Sequence, residues 1–216
     1  MITIRRVSVG TPRPIGNELV SAIGKRPVVA GPIRLSEINL DGDDQADRTV
    51  HGGPDKAVYA HPFEHLEAWA ADLGQPGLPS TDAAPFGENL STIGVTEETV
   101  SIGDVWRWGD ARLQVCQPRT PCRKLTVHRG DAGVGPLMRS TGRTGWYLRV
   151  LDPGTVAIEG TIDVDPHPAG ITVSAANAAM EDRRLENRAL VERVVALGDV
   201  LAAEWRDPLV ERLAAR

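Results

Sequence analysis

Apolar and polar residues alternate in short stretches through the first three quarters of the chain. ITIRRVSV at 2–9, VYA at 58–60, TVSI at 99–102, ARLQV at 111–115, GWYLRVL at 145–151 and VAIEG at 156–160 carry the β-type pattern of half-buried strands. Gly109-Asp110 and Asp152-Pro153-Gly154 are turn signals between them, so the pattern predicts a mainly antiparallel barrel or sandwich. One helical period interrupts it. Pro62 stands at a first-turn position, Phe63, Leu66, Ala70 and Leu73 recur at helical spacing, and Gly74 ends the run. Residues 76–85 read as a loop. After Pro168 the texture changes to Ala, Glu and Arg with Leu and Val at intervals of three and four, which predicts amphipathic helices over 174–181, 184–197 and 199–214. Each is too short to be stable alone in water, so they must pack on one another or on the β region. The expected fold is mainly β with a few interspersed helices, in a domain over 1–165, followed by a small C-terminal α-helical extension over 166–216.

Composition narrows the function. The 216 residues are 41% apolar and 25% charged, which excludes disordered, collagenous and membrane-spanning classes. The net charge of −5 carries no basic block, which argues against nucleic acid as a partner and against reading the helical tail as a DNA reader. No signal-peptide core follows Met1, so a cytoplasmic location with no membrane partner is expected. Cys116 and Cys122 make neither a disulfide framework nor a zinc pattern. Of 24 cations only Lys25, Lys56 and Lys124 are lysines. A chain that writes Arg by default makes each surviving Lys informative, since a compact, pKa-adjustable ammonium does work a guanidinium cannot.

Three stretches mix glycine with functional side chains. The first runs from Asp44-Gln45-Ala46-Asp47 to His51-Gly52-Gly53-Pro54-Asp55-Lys56-Ala57-Val58-Tyr59. Paired glycines let a backbone approach a ligand or present consecutive N–H groups to an anion, and His51, Asp55 and Lys56 supply acid–base and electrostatic groups. A tight hairpin with solvated charges is the competing reading. The second is Phe86-Gly87-Glu88-Asn89-Leu90, where Glu and Asn can simply brace a loop. The third is Gln117-Pro118-Arg119-Thr120-Pro121-Cys122-Arg123-Lys124-Leu125. Two prolines stiffen the approach to a cysteine flanked by three cations, which favour a thiolate nucleophile or soft-metal ligand. Cys116, at the end of ARLQV, fits a buried inert thiol.

DQADRTVHGGPDKAVYAHPFEH, FGENLSTIGVTEETVSIGD, LQVCQPRTPCRKL and GRTGWYLRVL, in this order, resemble the MOSC domain family, named for the C-terminal domain of molybdenum-cofactor sulfurases, and its bacterial YiiM-like branch most closely. The resemblance implies a MOSC-type β-barrel that binds molybdenum cofactor (molybdopterin), with Cys122 as the molybdenum ligand. It also implies reduction of N-hydroxylated compounds, 6-hydroxylaminopurine among them, to amines. Under that reading Lys56, Arg119, Lys124 and Arg143 are candidates for the cofactor phosphate, with Gly52, Gly53 and Asp55 beside them. Asn89 reads the pterin or a backbone group, and His51 either donates a proton to the departing oxygen or braces the Gly52-Gly53 turn. Lys25 is left as a surface residue. No flavin, haem or iron–sulfur motif is present, so a separate electron-donating reductase is expected as partner, and the helical tail is a candidate surface for it or for a homodimer. The alternatives are a sulfur carrier or cofactor carrier using a Cys122 persulfide or thiolate, and a Cys122–His51 hydrolase.

Overall fold

The computed structural model describes residues 1–16, 19–46, 52–78 and 83–215. Strands β1 (Ile2–Val9), β2 (Arg13–Ile15), β3 (Leu19–Ser21), β4 (Arg26–Pro27), β5 (Ile33–Leu35) and β6 (Val58–Pro62) precede helix α1 (His65–Asp72). Strands β7 (Leu90–Ile93), β8 (Val105–Trp108) and β9 (Ala111–Pro118) lead into helices α2 (Arg123–Arg129) and α3 (Val134–Thr141). After β10 (Trp146–Asp152), β11 (Gly154–Val156) and β12 (Gly160–Asp165) come α4 (Val173–Glu181), α5 (Arg188–Val195) and α6 (Ala203–Ala214).

Seven of the strands close into a barrel in the order β1-β7-β6-β10-β9-β8-β12, and β12 returns to β1 through Ile2↔Ile162. Closure removes the exposed sheet edges that would otherwise invite pairing with other chains. Pairing is antiparallel except at β6–β7, whose parallel register Ala60↔Leu90 follows from the crossover through α1. The barrel is filled by Ile2, Ile4, Trp106, Trp108, Leu113, Val115, Trp146 and Leu148, all buried. β1 shows how the pattern works and where it breaks. Ile2 and Ile4 face in and Thr3 and Arg5 face out, but the register with β7 shifts between Ile4 and Arg6. That bulge turns Arg6 inward, where its Nη2 pairs with the buried Glu88 carboxylate at 3.2 Å.

The strands expected at 2–9, 58–60, 111–115 and 145–151 are present. The run at 99–102 is a turn instead: the amides of Thr99 and Val100 both donate to the Thr96 carbonyl, and Ser101 makes an isolated bridge to Thr172. Val100 and Ile102 are buried there, so a loop anchored by two apolar side chains imitated strand alternation. The run at 156–160 is divided between β11 and β12, with Gly160 at φ +100° opening the second. Pro62 ends β6 rather than starting a helix. The Phe63 amide still donates to Thr92 of β7, so strand register persists and α1 begins at His65.

The C-terminal helices appear close to their expected spans. Thr172 caps α4 by accepting the Ala175 amide at 3.1 Å, and Asn187 caps α5 by accepting that of Leu190 at 3.2 Å. Arg212 of α6 donates to the carbonyls of Ala179 and Asp182 at the end of α4. Val173, Val191, Val194, Leu201, Trp205 and Leu209 belong to the same continuous apolar core as the barrel interior. A second cluster, containing Leu66, Trp69, Phe86, Leu125, Val134 and Met138, seats α1, α2 and α3 against the barrel's flank. Among the described residues no helix is long and apolar enough to cross a membrane.

Candidate functional site

A cavity of about 330 Å³ opens where the end of β9, the strand β6, the loops around Lys25, Asp43 and Gly87, and the start of α6 meet. Its volume lies within the range of small-ligand sites. Cys122 lines it. β9 stops at Pro118, the Pro-containing stretch carries the chain across the cavity, and Cys122 takes the extended cap position of α2, its carbonyl accepting the Leu125 amide at 3.0 Å. Leu125, one turn on, is fully buried and fixes the helix; burying such a side chain contributes about 2 kcal/mol. The thiol is half-buried and packs beside the second apolar cluster.

Arg119 is 4% exposed and points into the same space. Among the described residues no carboxylate pairs with it. Its guanidinium lies over the Tyr59 ring at 5.4 Å, donates to Met138 Sδ at 3.0 Å and hydrogen-bonds the Tyr147 hydroxyl. Burial alone would pull its pKa down, yet Tyr59, Tyr147 and Cys122 together raise it, so the cation persists. Burial drives the Tyr59 and Tyr147 hydroxyls up, Tyr59 strongly, so both stay neutral. The two rings are in contact at 5.2 Å, and Tyr59 donates to the Thr144 carbonyl at 2.8 Å.

Below them lies a buried polar brace. Lys25 forms an ion pair with Asp43, both less than 9% exposed. Asp43 also accepts the Gly10 amide and the Asn89 side chain, each at 2.8 Å. Asn89 accepts the Tyr59 amide at 3.1 Å and donates to the Ser8 carbonyl at 3.2 Å. Its amide thus ties β1, β6 and the Asp43 loop together, the backbone-reading role among the two expected for it. Lys25 is therefore no surface residue: it is 8% exposed and lines the cavity, and burial lowers its pKa against the pull of Asp43. Gly87, at φ +78°, lets the following loop close over Ile23, since a Cβ there would lie 2.5 Å from the Ile23 side chain.

Of the residues singled out from sequence, Cys122, Lys56, Asn89, Arg119 and Lys124 come together around the cavity. Gly52, Gly53 and Asp55 are not among its lining residues: Gly53 (φ +92°) caps the tight turn Pro54–Lys56 that delivers Lys56, while Asp55 pairs with Arg149 at 2.8 Å. Arg143 is elsewhere, over the Trp69 ring at 4.7 Å and paired with Asp72. His51 lies outside the described residues. Cys116 is fully buried, its thiol donating to the Asp55 carbonyl at 3.2 Å, and burial pushes its pKa up to about 12. Tyr147, Asp43 and Glu204 also line the cavity and were not singled out as site residues. Lysine scarcity, applied evenly, would have found Lys25; no local signal marks Glu204, which is 148 residues from its partner Lys56.

The MOSC domain family model matches residues 47–163, more than half of the chain and all of the Cys122 region. The chain belongs to the MOSC domain family. MOSC domains are associated with molybdenum-cofactor sulfurases. The protein is 43% identical over 159 residues to YiiM of Escherichia coli K12, covering 73% of this chain and 70% of that one. A protein of Gibberella moniliformis named as a reductase is 35% identical over 156 residues, 71% of this MOSC protein but 27% of the fungal chain. The crystal structure of YiiM from Geobacillus stearothermophilus superposes with a TM-score of 0.80 at 29% identity, covering 99% of this chain and 100% of that one, helical tail included.

Proposed function

We propose that the cavity holds molybdenum cofactor with Cys122 as protein ligand to the metal, and that the protein is an oxidoreductase reducing N-hydroxylated compounds, such as 6-hydroxylaminopurine, to amines. The observation that carries this is the pairing of a half-buried thiol with a buried Arg119 that has no carboxylate among the described residues. A desolvated cation without a counter-ion is costly unless an anion arrives, and a thiolate suits molybdenum. The residues present therefore fit an anionic pterin phosphate and a soft-metal site. The family membership and the reductase-named relative point the same way.

When bound, the cofactor supplies the two-electron chemistry that accepts oxygen from an N–OH group. The chain binds, orients and shields. Lys56, Arg119 and Lys124 neutralise the phosphate. The Tyr59–Tyr147 pair forms an aromatic wall that excludes water and keeps Arg119 aimed at the cavity. Lys25, Asp43 and Asn89 keep that wall in place from below. His51 is the proposed proton donor to the departing oxygen. Electrons come from a separate reductase, for which the helical tail is a docking candidate.

Molybdenum and pterin content of protein made in a cofactor-sufficient host tests the reading. Wild type should retain both, and Cys122→Ser should lose most of the metal and the hydroxylaminopurine reduction. Equal metal in the two proteins refutes ligation by Cys122.

A further inference from the structure

Among the described residues, Glu204 is the one charged residue through which the helical tail enters the cavity lining. Its Oε2 lies 2.6 Å from Lys56 Nζ; the Lys56 side chain is 13% exposed and that of Glu204 51%. The backbone beneath Glu204 is held firmly. The Ala202 amide donates to the Cys116 carbonyl of β9 at 3.0 Å, and Leu201, Ala202 and Trp205 are buried on either side. The carboxylate is thus presented from a fixed point while half its surface stays in water.

The described charges around the cavity are close to balanced. Among the described residues, Lys25, Lys56, Arg119 and Lys124 face Asp43, Asp44 and Glu204, a formal excess of one positive charge at pH 7. The buried Asp43 is committed to Lys25, Gly10 and Asn89 and cannot be withdrawn without breaking the brace. Glu204 differs, because a half-exposed carboxylate that leaves its partner is rehydrated at little cost. An oxyanion approaching Lys56 meets Glu204 already in place, and the two compete for the same ammonium.

We propose that Glu204 is an exchangeable counter-ion of this cavity: it pairs with Lys56 until the phosphate group of a ligand takes its place. This rests on the reading of the cavity as an anion-accepting cofactor site. The tail then sets how tightly the barrel holds anions, since the free energy released at Lys56 is offset by the pair that is lost. Ligands without an oxyanion leave the Glu204–Lys56 pair in place.

Titration calorimetry of the full-length protein with inorganic phosphate at fixed ionic strength tests the exchange. Glu204→Gln should bind phosphate about two- to five-fold more tightly than wild type, the range expected for a partly exposed pair. Lys56→Met should bind more weakly, and Glu204→Gln/Lys56→Met should match Lys56→Met alone. Equal or weaker binding by Glu204→Gln overturns the proposal, as does a gain that persists without Lys56, or no phosphate binding by either wild type or Glu204→Gln. Molybdenum content, compared between wild type and Cys122→Ser, is measured without phosphate and decides the cofactor reading separately.

Discussion

Neutralising Asp43 isolates the energetics of the brace under the cavity. Asp43→Asn keeps an oxygen for the Gly10 amide but leaves the 8%-exposed Lys25 ammonium without its contacting carboxylate, with Glu88 still attracting it more weakly. Breaking one side of a buried ion pair costs about 3–5 kcal/mol. A ceiling follows from protonation. Lys25 can shed its proton, and holding a lysine of ordinary pKa near 10.4 neutral at pH 7 costs about 3.4 pH units, or roughly 4.6 kcal/mol. At pH 9 that ceiling falls to about 2 kcal/mol. The sign agrees with the lowered pKa of Lys25: the unfolded chain binds more protons than the folded one, so raising the pH favours folding. Urea denaturation should show the variant about 3–4 kcal/mol less stable at pH 7, with the gap at least 1 kcal/mol smaller at pH 9. Thermal midpoints at pH 7 should fall by about 6–16 °C. Lys25→Met/Asp43→Asn, which removes both charges and keeps an oxygen for the Gly10 amide, should recover most of the loss. A gap below 1 kcal/mol at pH 7, or one that does not change with pH, refutes the reasoning.

The two thiols should separate cleanly under alkylation. Cys116, fully buried with its pKa near 12, should stay unmodified in native protein at pH 8, so that Cys122→Ser labels only after denaturation; native labelling of that variant contradicts the burial. His61 should give stability a pH slope, because burial first, with His65 and Arg119 adding to it, pushes its imidazole well below the usual range. The folded protein therefore excludes a proton that the unfolded chain takes up below about pH 6.5, and stability should fall by up to about 1.4 kcal/mol per pH unit from there downward. His61→Phe, stacking on Phe86 as the imidazole does at 4.6 Å, should flatten that slope in denaturation curves; parallel slopes in the two proteins refute the assignment.

The barrel strands and the tail helices were legible because each carries its own period: Ile2, Ile4, Trp146 and Leu148 alternate, and Val191 and Val194 recur at helical spacing. The turn at 99–102 misled because Val100 and Ile102 anchor a loop with strand-like alternation. Helices α2 and α3 left little trace, since α2 buries only Leu125 and α3 carries glycine and proline in its first turn. At the site, Cys122, Arg119, Lys56 and Lys124 stood out because their neighbours in sequence are unusual. Asp43 did not, because in DGDD it resembles a solvated acidic turn, and its burial follows from Lys25 and Asn89 arriving from elsewhere. Tyr147 sits in a strand where an aromatic needs no special reason. Glu204 reaches the cavity only because the helical tail folds back onto β9, and that long-range packing has no local signature.

All three lysines of the chain line one cavity, and this makes amine chemistry selective without any design. Apart from a terminal amine, an acylating reagent has only Lys25, Lys56 and Lys124 to modify, so the extent of acylation reports directly on cavity access. Coupling the protein to an amine-reactive surface captures it either by its terminus or through the site itself. Acetylation from a reactive acyl donor erases cavity charge one unit at a time and leaves the arginine-covered exterior as it was. A protease that cleaves only after lysine likewise finds its recognition residues gathered at the place a ligand would shield.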